Sequence, residues 1–105
     1  MAKRNSVRVT PSTGNVFRDL GFSKEESEHL LIRADLLIQV QKAITSRRLK
    51  QAGAAKVLRV TQPRVSDLLR GRIDLFSTDA LIDMLARLGV GVRLVVRPGR
   101  PRRVA

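Results

Sequence analysis

Within residues 62–67 stand Gln62, Arg64 and Asp67, three side chains whose hydrogen-bonding geometry matches the edges of base pairs, with Pro63 among them. An amide of the Gln62 type pairs with adenine, a guanidinium such as Arg64 forks onto guanine, and a carboxylate such as Asp67 accepts from cytosine. Asp67 has a second reading, as an orienting partner of Arg64 or Arg70. The neighbouring Thr61, Ser66, Arg70 and Arg72, with Arg48 and Lys50 upstream, are types that hold phosphate oxygens. Gln51 falls at an expected helix start, where backbone N–H groups and the helix dipole also favour a phosphate. The expected chemistry is therefore recognition of duplex DNA, with Gln62, Pro63, Arg64 and Asp67 on the bases and the others on the backbone.

The charge distribution points the same way. The 105-residue chain carries a formal charge of +12, a balance that implies a polyanionic partner. It is segregated: from Leu36 to Ile73 there are nine basic residues and one acid, Asp67, while Asp19, Glu25, Glu26, Glu28 and Asp35 precede that stretch. A uniform solubilising coat would intersperse the two signs. Aromatics make up only 3%, which argues against a single-stranded partner stacked on rings.

Other chemistries are excluded by what is missing. Cysteine is absent, so there is neither a disulfide framework nor a thiolate metal site. His29 is the sole histidine and reads as a solvated surface residue on an acidic helix. Glu25, Glu26 and Glu28 read as charges at a helix start rather than as an acid–base pair, since no nucleophile accompanies them. The chain is expected to be no enzyme, to bind no cofactor or metal, and to be cytoplasmic, with no membrane span and no secretory leader.

Several elements must position these residues. Residues 1–15 are polar and basic with a breaker cluster at Pro11, Ser12, Thr13, Gly14 and Asn15, and read as a flexible arm; even so, Val7-Arg8-Val9 alternates well enough for a short strand. Phe17, Leu20 and Phe22 are expected to fold back over the core. Ser23, followed three residues later by Glu26, opens a long helix to about residue 47. Its segment 30–38 is apolar nearly all round and must be covered on two sides, by the Phe17/Phe22 segment or by another chain. A short helix spans 51–58. A third opens at Thr61, with Pro63 in its first turn, and ends at Arg70-Gly71. A fourth, capped by Ser77 or Thr78, runs through Leu88 with Leu81, Leu85 and Leu88 inward. Residues 90–96 read as one strand, whose partner is either Val7–Val9 or the same strand of a second subunit. The second pairing is the expectation, because it closes a dimer. Residues 98–105 read as a disordered basic tail.

The spacing from Gln51 is that of two crossing helices: Ala55 is small where they approach, Val60 follows the turn, and Val65 and Leu68 point inward beside Leu58. Gln51-Ala-Gly-Ala-Ala-Lys-Val-Leu and Val60-Thr-Gln-Pro-Arg-Val-Ser-Asp-Leu-Leu-Arg-Gly71 resemble the Cro/C1 (XRE) class of helix-turn-helix regulators. The wider run through Ile73-Asp-Leu-Phe-Ser77 and Leu81-Ile-Asp-Met-Leu-Ala-Arg-Leu-Gly89 is similar to a HigA-like antitoxin subgroup. The resemblance implies an all-α, lambda-repressor-like domain of four or five helices over residues 16–97, with one short C-terminal strand. It also implies a repressor that binds a palindromic operator as a homodimer, and an antitoxin partnered by a small RNase-like toxin. A stand-alone phage-type regulator and a non-specific basic nucleic-acid-binding protein are the alternatives. Three positions depart from the class. Lys50 stands where Thr usually caps, Arg59 where a turn Gly is common, and Gly53 lies inside a helix; each costs on the order of 1 kcal/mol.

Overall fold

The computed structural model describes residues 5–9 and 16–96. In chain order these form β1 (Asn5–Val9), α1 (Val16–Asp19), α2 (Lys24–Ser46), α3 (Gln51–Leu58) and α4 (Gln62–Leu69). A 3₁₀ turn at Ile73–Leu75, α5 (Thr78–Arg87) and β2 (Val90–Leu94) follow. The architecture is the expected helical one, packed around α2.

Local chemistry sets the helix starts. Ser23, Thr61 and Ser77 each sit in extended backbone and accept the N–H three residues on, from Glu26, Arg64 and Ala80. Each such cap is worth about 1 kcal/mol. Lys50 caps α3 without a side-chain bond, as its type predicts.

The helix ends share one solution. After α2, Leu49 N–H donates to the Ile44 carbonyl and Arg48 N–H to Thr45. After α3 the pairs are Val60 to Ala55 and Arg59 to Lys56; after α4, Arg72 to Asp67 and Gly71 to Leu68. This closure needs a left-handed residue, supplied by Arg48 (φ 54°), Arg59 (φ 57°) and Gly71 (φ 79°). Only Gly takes that conformation without steric penalty. Both ends of α3 are therefore bracketed by arginines held in a strained backbone region.

The core is aliphatic. Leu36, Leu37, Val40, Ala43 and Ile44 from α2 meet Ala54, Ala55 and Leu58 from α3, Val65 and Leu68 from α4, and Leu81, Met84, Leu85 and Leu88 from the α5 region. Phe76 is the buried aromatic among them. Each fully buried Leu side chain contributes about 1.5–3 kcal/mol of apolar burial. α1 packs on α2, Phe17 and Phe22 meet edge to face at 6.3 Å, and Phe22 lines a groove together with Leu30 of the apolar segment. Leu20, Phe22 and Ile38 remain exposed.

The strands correct one expectation. β2 pairs in parallel with β1 of the same chain, in register from Asn5 on Val90 to Val9 on Leu94, so the partner it has here is the Val7–Val9 segment, where the same strand of a second subunit was expected. Residues 5–9, read as part of a flexible arm, are therefore strand. The physical reason is that β2 needs a partner for its backbone groups, and one tethered to the same chain is present at every protein concentration. Parallel strands need a long crossover, and here the whole helical body provides it. The rest of the arm, residues 1–4 and 10–15, and the tail 98–105 lie outside the described residues.

Candidate nucleic-acid interface

α3 and α4 pack against each other with Ala54 and Ala55 buried at the crossing, where a larger side chain would hold the axes apart. Successive residues of α4 are about 100° apart around its axis. Val65 and Leu68, both fully buried, mark its inner face. Pro63 and Arg70 fall nearly opposite and are exposed, with Ser66 and Asp67 half-buried beside them. Gln62 is exposed on one flank. Thr61 is exposed just before the helix, its Oγ1 accepting the Arg64 N–H at 3.4 Å.

Arg64 is placed differently from the other three base-contact candidates. It lies on the opposite flank from Gln62, about 40° around the helix from Leu68, and is half-buried. Its guanidinium carbon stands 4.1 Å from the centroid of the Phe76 ring. One of its terminal nitrogens donates to the Leu75 carbonyl at 2.9 Å. The side chain spans from α4 to the 3₁₀ turn rather than projecting from the outward face.

The phosphate candidates Arg48, Lys50, Gln51, Arg70 and Arg72 are all exposed. Arg72 forms the one ion pair among the described residues, at 3.6 Å to Asp74, with both side chains at least half exposed. An exposed pair of this kind is weak, so a phosphate competes with it at little cost. Arg48, Lys50, Lys56, Arg59 and Arg70 have no acidic partner among the described residues. Their charge is uncompensated around α3 and α4.

Two contributors were absent from the sequence reading. The Gln41 side-chain amide, from α2, donates to the Leu68 carbonyl at 2.8 Å and lies 3.5 Å from that of Leu69. It thus satisfies a carbonyl at the C-terminal end of α4. Its signal was a lone amide between Leu37 and Ile44 on the inward stripe of α2, where a polar group needs a partner. The second contributor is Phe76, whose ring carries Arg64.

Asp35 on α2 is half-buried, and burial raises its carboxyl above the ordinary range. His29 is exposed and, with Phe22, Glu26, Leu30, Arg33 and Asp74, lines a shallow groove of about 350 Å³. Among the described residues no cluster of three or more His, Cys, Asp or Glu could hold a metal ion, and no helix is long and apolar enough to cross a membrane.

Comparison with known proteins agrees with this geometry. The family model of a helix-turn-helix domain matches residues 16–97. A solved structure described as "Putative XRE Family Transcriptional Regulator" is 32% identical, with a TM-score of 0.66 over 76% of this chain and 89% of that one. No curated protein matches the chain. The family match spans most of the chain, both α3 and α4 included: the chain belongs to the helix-turn-helix domain family.

Proposed function

We propose that the protein is a sequence-specific DNA-binding transcriptional regulator, which acts as a repressor by laying α4 in the major groove of an operator in its own promoter. The observation that carries this reading is the outward face of α4. It presents Pro63, Ser66, Asp67 and Arg70, flanked by exposed Gln62, amid cations that lack acidic partners.

The mechanism follows from the geometry. The major groove admits one helix. With Val65 and Leu68 anchored in the core, the opposite face meets the base edges. There the Gln62 amide pairs with adenine, Pro63 packs against a base edge, and Asp67 accepts from cytosine. Arg48, Lys50, Thr61, Ser66, Arg70 and Arg72 take phosphates, as does Gln51 at the start of α3. These backbone contacts fix register without carrying sequence information. A homodimer on a palindromic site places two such helices one helical turn apart.

The exposed apolar groups Leu20 and Phe22 between α1 and α2, and Ile38 on α2, with acidic Asp19, Glu25, Glu26 and Glu28 in the same part of the chain, support a second layer of function. They suit a basic partner, and so the antitoxin role with a small RNase-like toxin.

The test is a gel shift on the protein's own upstream region against random duplex of equal length. Preferential binding to the upstream region, with two half-sites protected, is expected. Equal binding to both duplexes, with a steep salt slope, would mark non-specific charge binding instead. Co-expression with the neighbouring gene tests the antitoxin layer, for which a co-purifying basic partner is expected.

A further inference from the structure

We propose that Arg64 and Gln41 are positioning residues, a pair of tethers that fix the angle at which α4 is presented; this rests on the reading of α4 as the DNA-contacting helix. α4 has only eight residues, and its inner anchors Val65 and Leu68 lie in one narrow stripe. A short cylinder held along a single stripe can still roll about it. The two tethers extend that hold, one at the C-terminal end of the stripe and one along its flank. Gln41 reaches from α2 to the carbonyls of Leu68 and Leu69 at the C-terminal end. Arg64 reaches from the first half of α4 to the Leu75 carbonyl and the Phe76 face beyond the 3₁₀ turn. Phe76 is itself 1% exposed, so the surface that receives the guanidinium is part of the core.

The chemistry of each tether is specific. A planar guanidinium stacks on a ring and donates in its plane at once, which a lysine ammonium does not reproduce. A neutral amide caps carbonyls without introducing charge, whereas a carboxylate there would repel them. The consequence differs from that of a base-reading arginine. Loss of a base contact relaxes one position of the site. Loss of a tether lets the whole helix shift, which weakens discrimination at every position while leaving phosphate attraction in place.

The test compares Arg64→Lys, Gln41→Met and Phe76→Leu with the parent protein. Binding is measured on the selected operator, each of its single-base variants and a random duplex, over a range of salt. For Arg64→Lys and Gln41→Met we expect operator affinity to fall about 5- to 10-fold, the net value of about one hydrogen bond. Random-duplex affinity and salt slope should stay as in the parent, and discrimination should flatten across the half-site. Phe76→Leu keeps an apolar core residue but removes the ring, and should reproduce Arg64→Lys. A loss confined to one base pair overturns the tether role for Arg64, and an equal drop on operator and random duplex overturns it in favour of a forked guanidinium contact with a phosphate.

A DNA-free readout separates this inference from the reading beneath it. In the free protein, amide hydrogen exchange across α4 should quicken in the same variants while α5 is unchanged. Unaltered exchange in α4 overturns the tethers even where DNA binding is lost. Quickened exchange in a protein that shows no operator preference keeps the tethers and removes the DNA reading.

Discussion

Replacing Arg59 by glycine should stabilise the protein, although it removes a large side chain from an ordered turn. Arg59 ends α3 at φ 57°, ψ 44°, a conformation that costs an L-residue about 1–2 kcal/mol. Glycine removes that penalty but loses about 0.5–1 kcal/mol more conformational entropy on folding. The net gain is about 0.5–1 kcal/mol, or about 2–8 °C in melting temperature for a domain of this size. The backbone bonds of the turn, from Arg59 to Lys56 and Val60 to Ala55, involve no side-chain atoms and survive. The exposed guanidinium has no hydrogen bond or ion pair among the described residues, so nothing else is lost from the fold. The assay is thermal unfolding by circular dichroism of the parent, Arg59→Gly and Arg59→Ala. The alanine variant sheds the charge but keeps the Cβ, and should melt near the parent. An Arg59→Gly that melts no higher than Arg59→Ala would refute the strain argument. If the guanidinium meets a phosphate, the salt slope of duplex binding should also drop by about one in the glycine variant. The stability gain would then come at the expense of affinity.

Three further perturbations follow from the same geometry. Ala55→Leu overfills the α3–α4 crossing, where Ala55 is buried; chemical denaturation should show a loss of about 1–3 kcal/mol together with weakened operator binding. Thr61→Ala removes the cap on the Arg64 N–H and should cost about 1 kcal/mol, read from the midpoint of a urea melt. Asp35→Asn should raise the melting temperature at neutral pH, because burial lifts the folded-state carboxyl above its ordinary range. A raised folded value favours the protonated form, so the carboxyl supports the fold below its unfolded-state range. It loses that support as pH rises through the folded value. The advantage of the asparagine should vanish in acid, and an advantage unchanged down to acidic pH would contradict the sign.

Much of this structure was legible in the sequence where the determining chemistry is local. α3 occupies the expected residues 51–58, and α4 starts and stops where Thr61, Pro63 and Gly71 direct it, because caps and stops act over three or four residues. The left-handed turn at Arg59 was legible through the resemblance to the Cro/C1 (XRE) class, in which Gly is common at that turn. Its counterpart at Arg48 was not, since no motif position flagged that turn. Pairings between remote residues were harder to read. β1 and β2 join Asn5 to Val90, and nothing near either strand distinguishes a partner in the same chain from one in a second subunit. The Arg64 geometry has a similar origin. Helical phase puts it beside Leu68, but the sequence alone does not show that the chain after Gly71 returns to offer the Leu75 carbonyl and the Phe76 ring. Gln41 was likewise hidden, 27 residues from its acceptor Leu68.

The most direct test of the outward face of α4 is selection from a pool of random duplexes at a salt concentration of about 150 mM, where exposed charges are screened beyond about 8 Å. The account predicts enrichment of a two-fold symmetric sequence with half-sites about one helical turn apart, and a changed preference at one position for Gln62→Ala. A pool that emerges with no common sequence, bound equally by the parent and by Gln62→Ala, would contradict it.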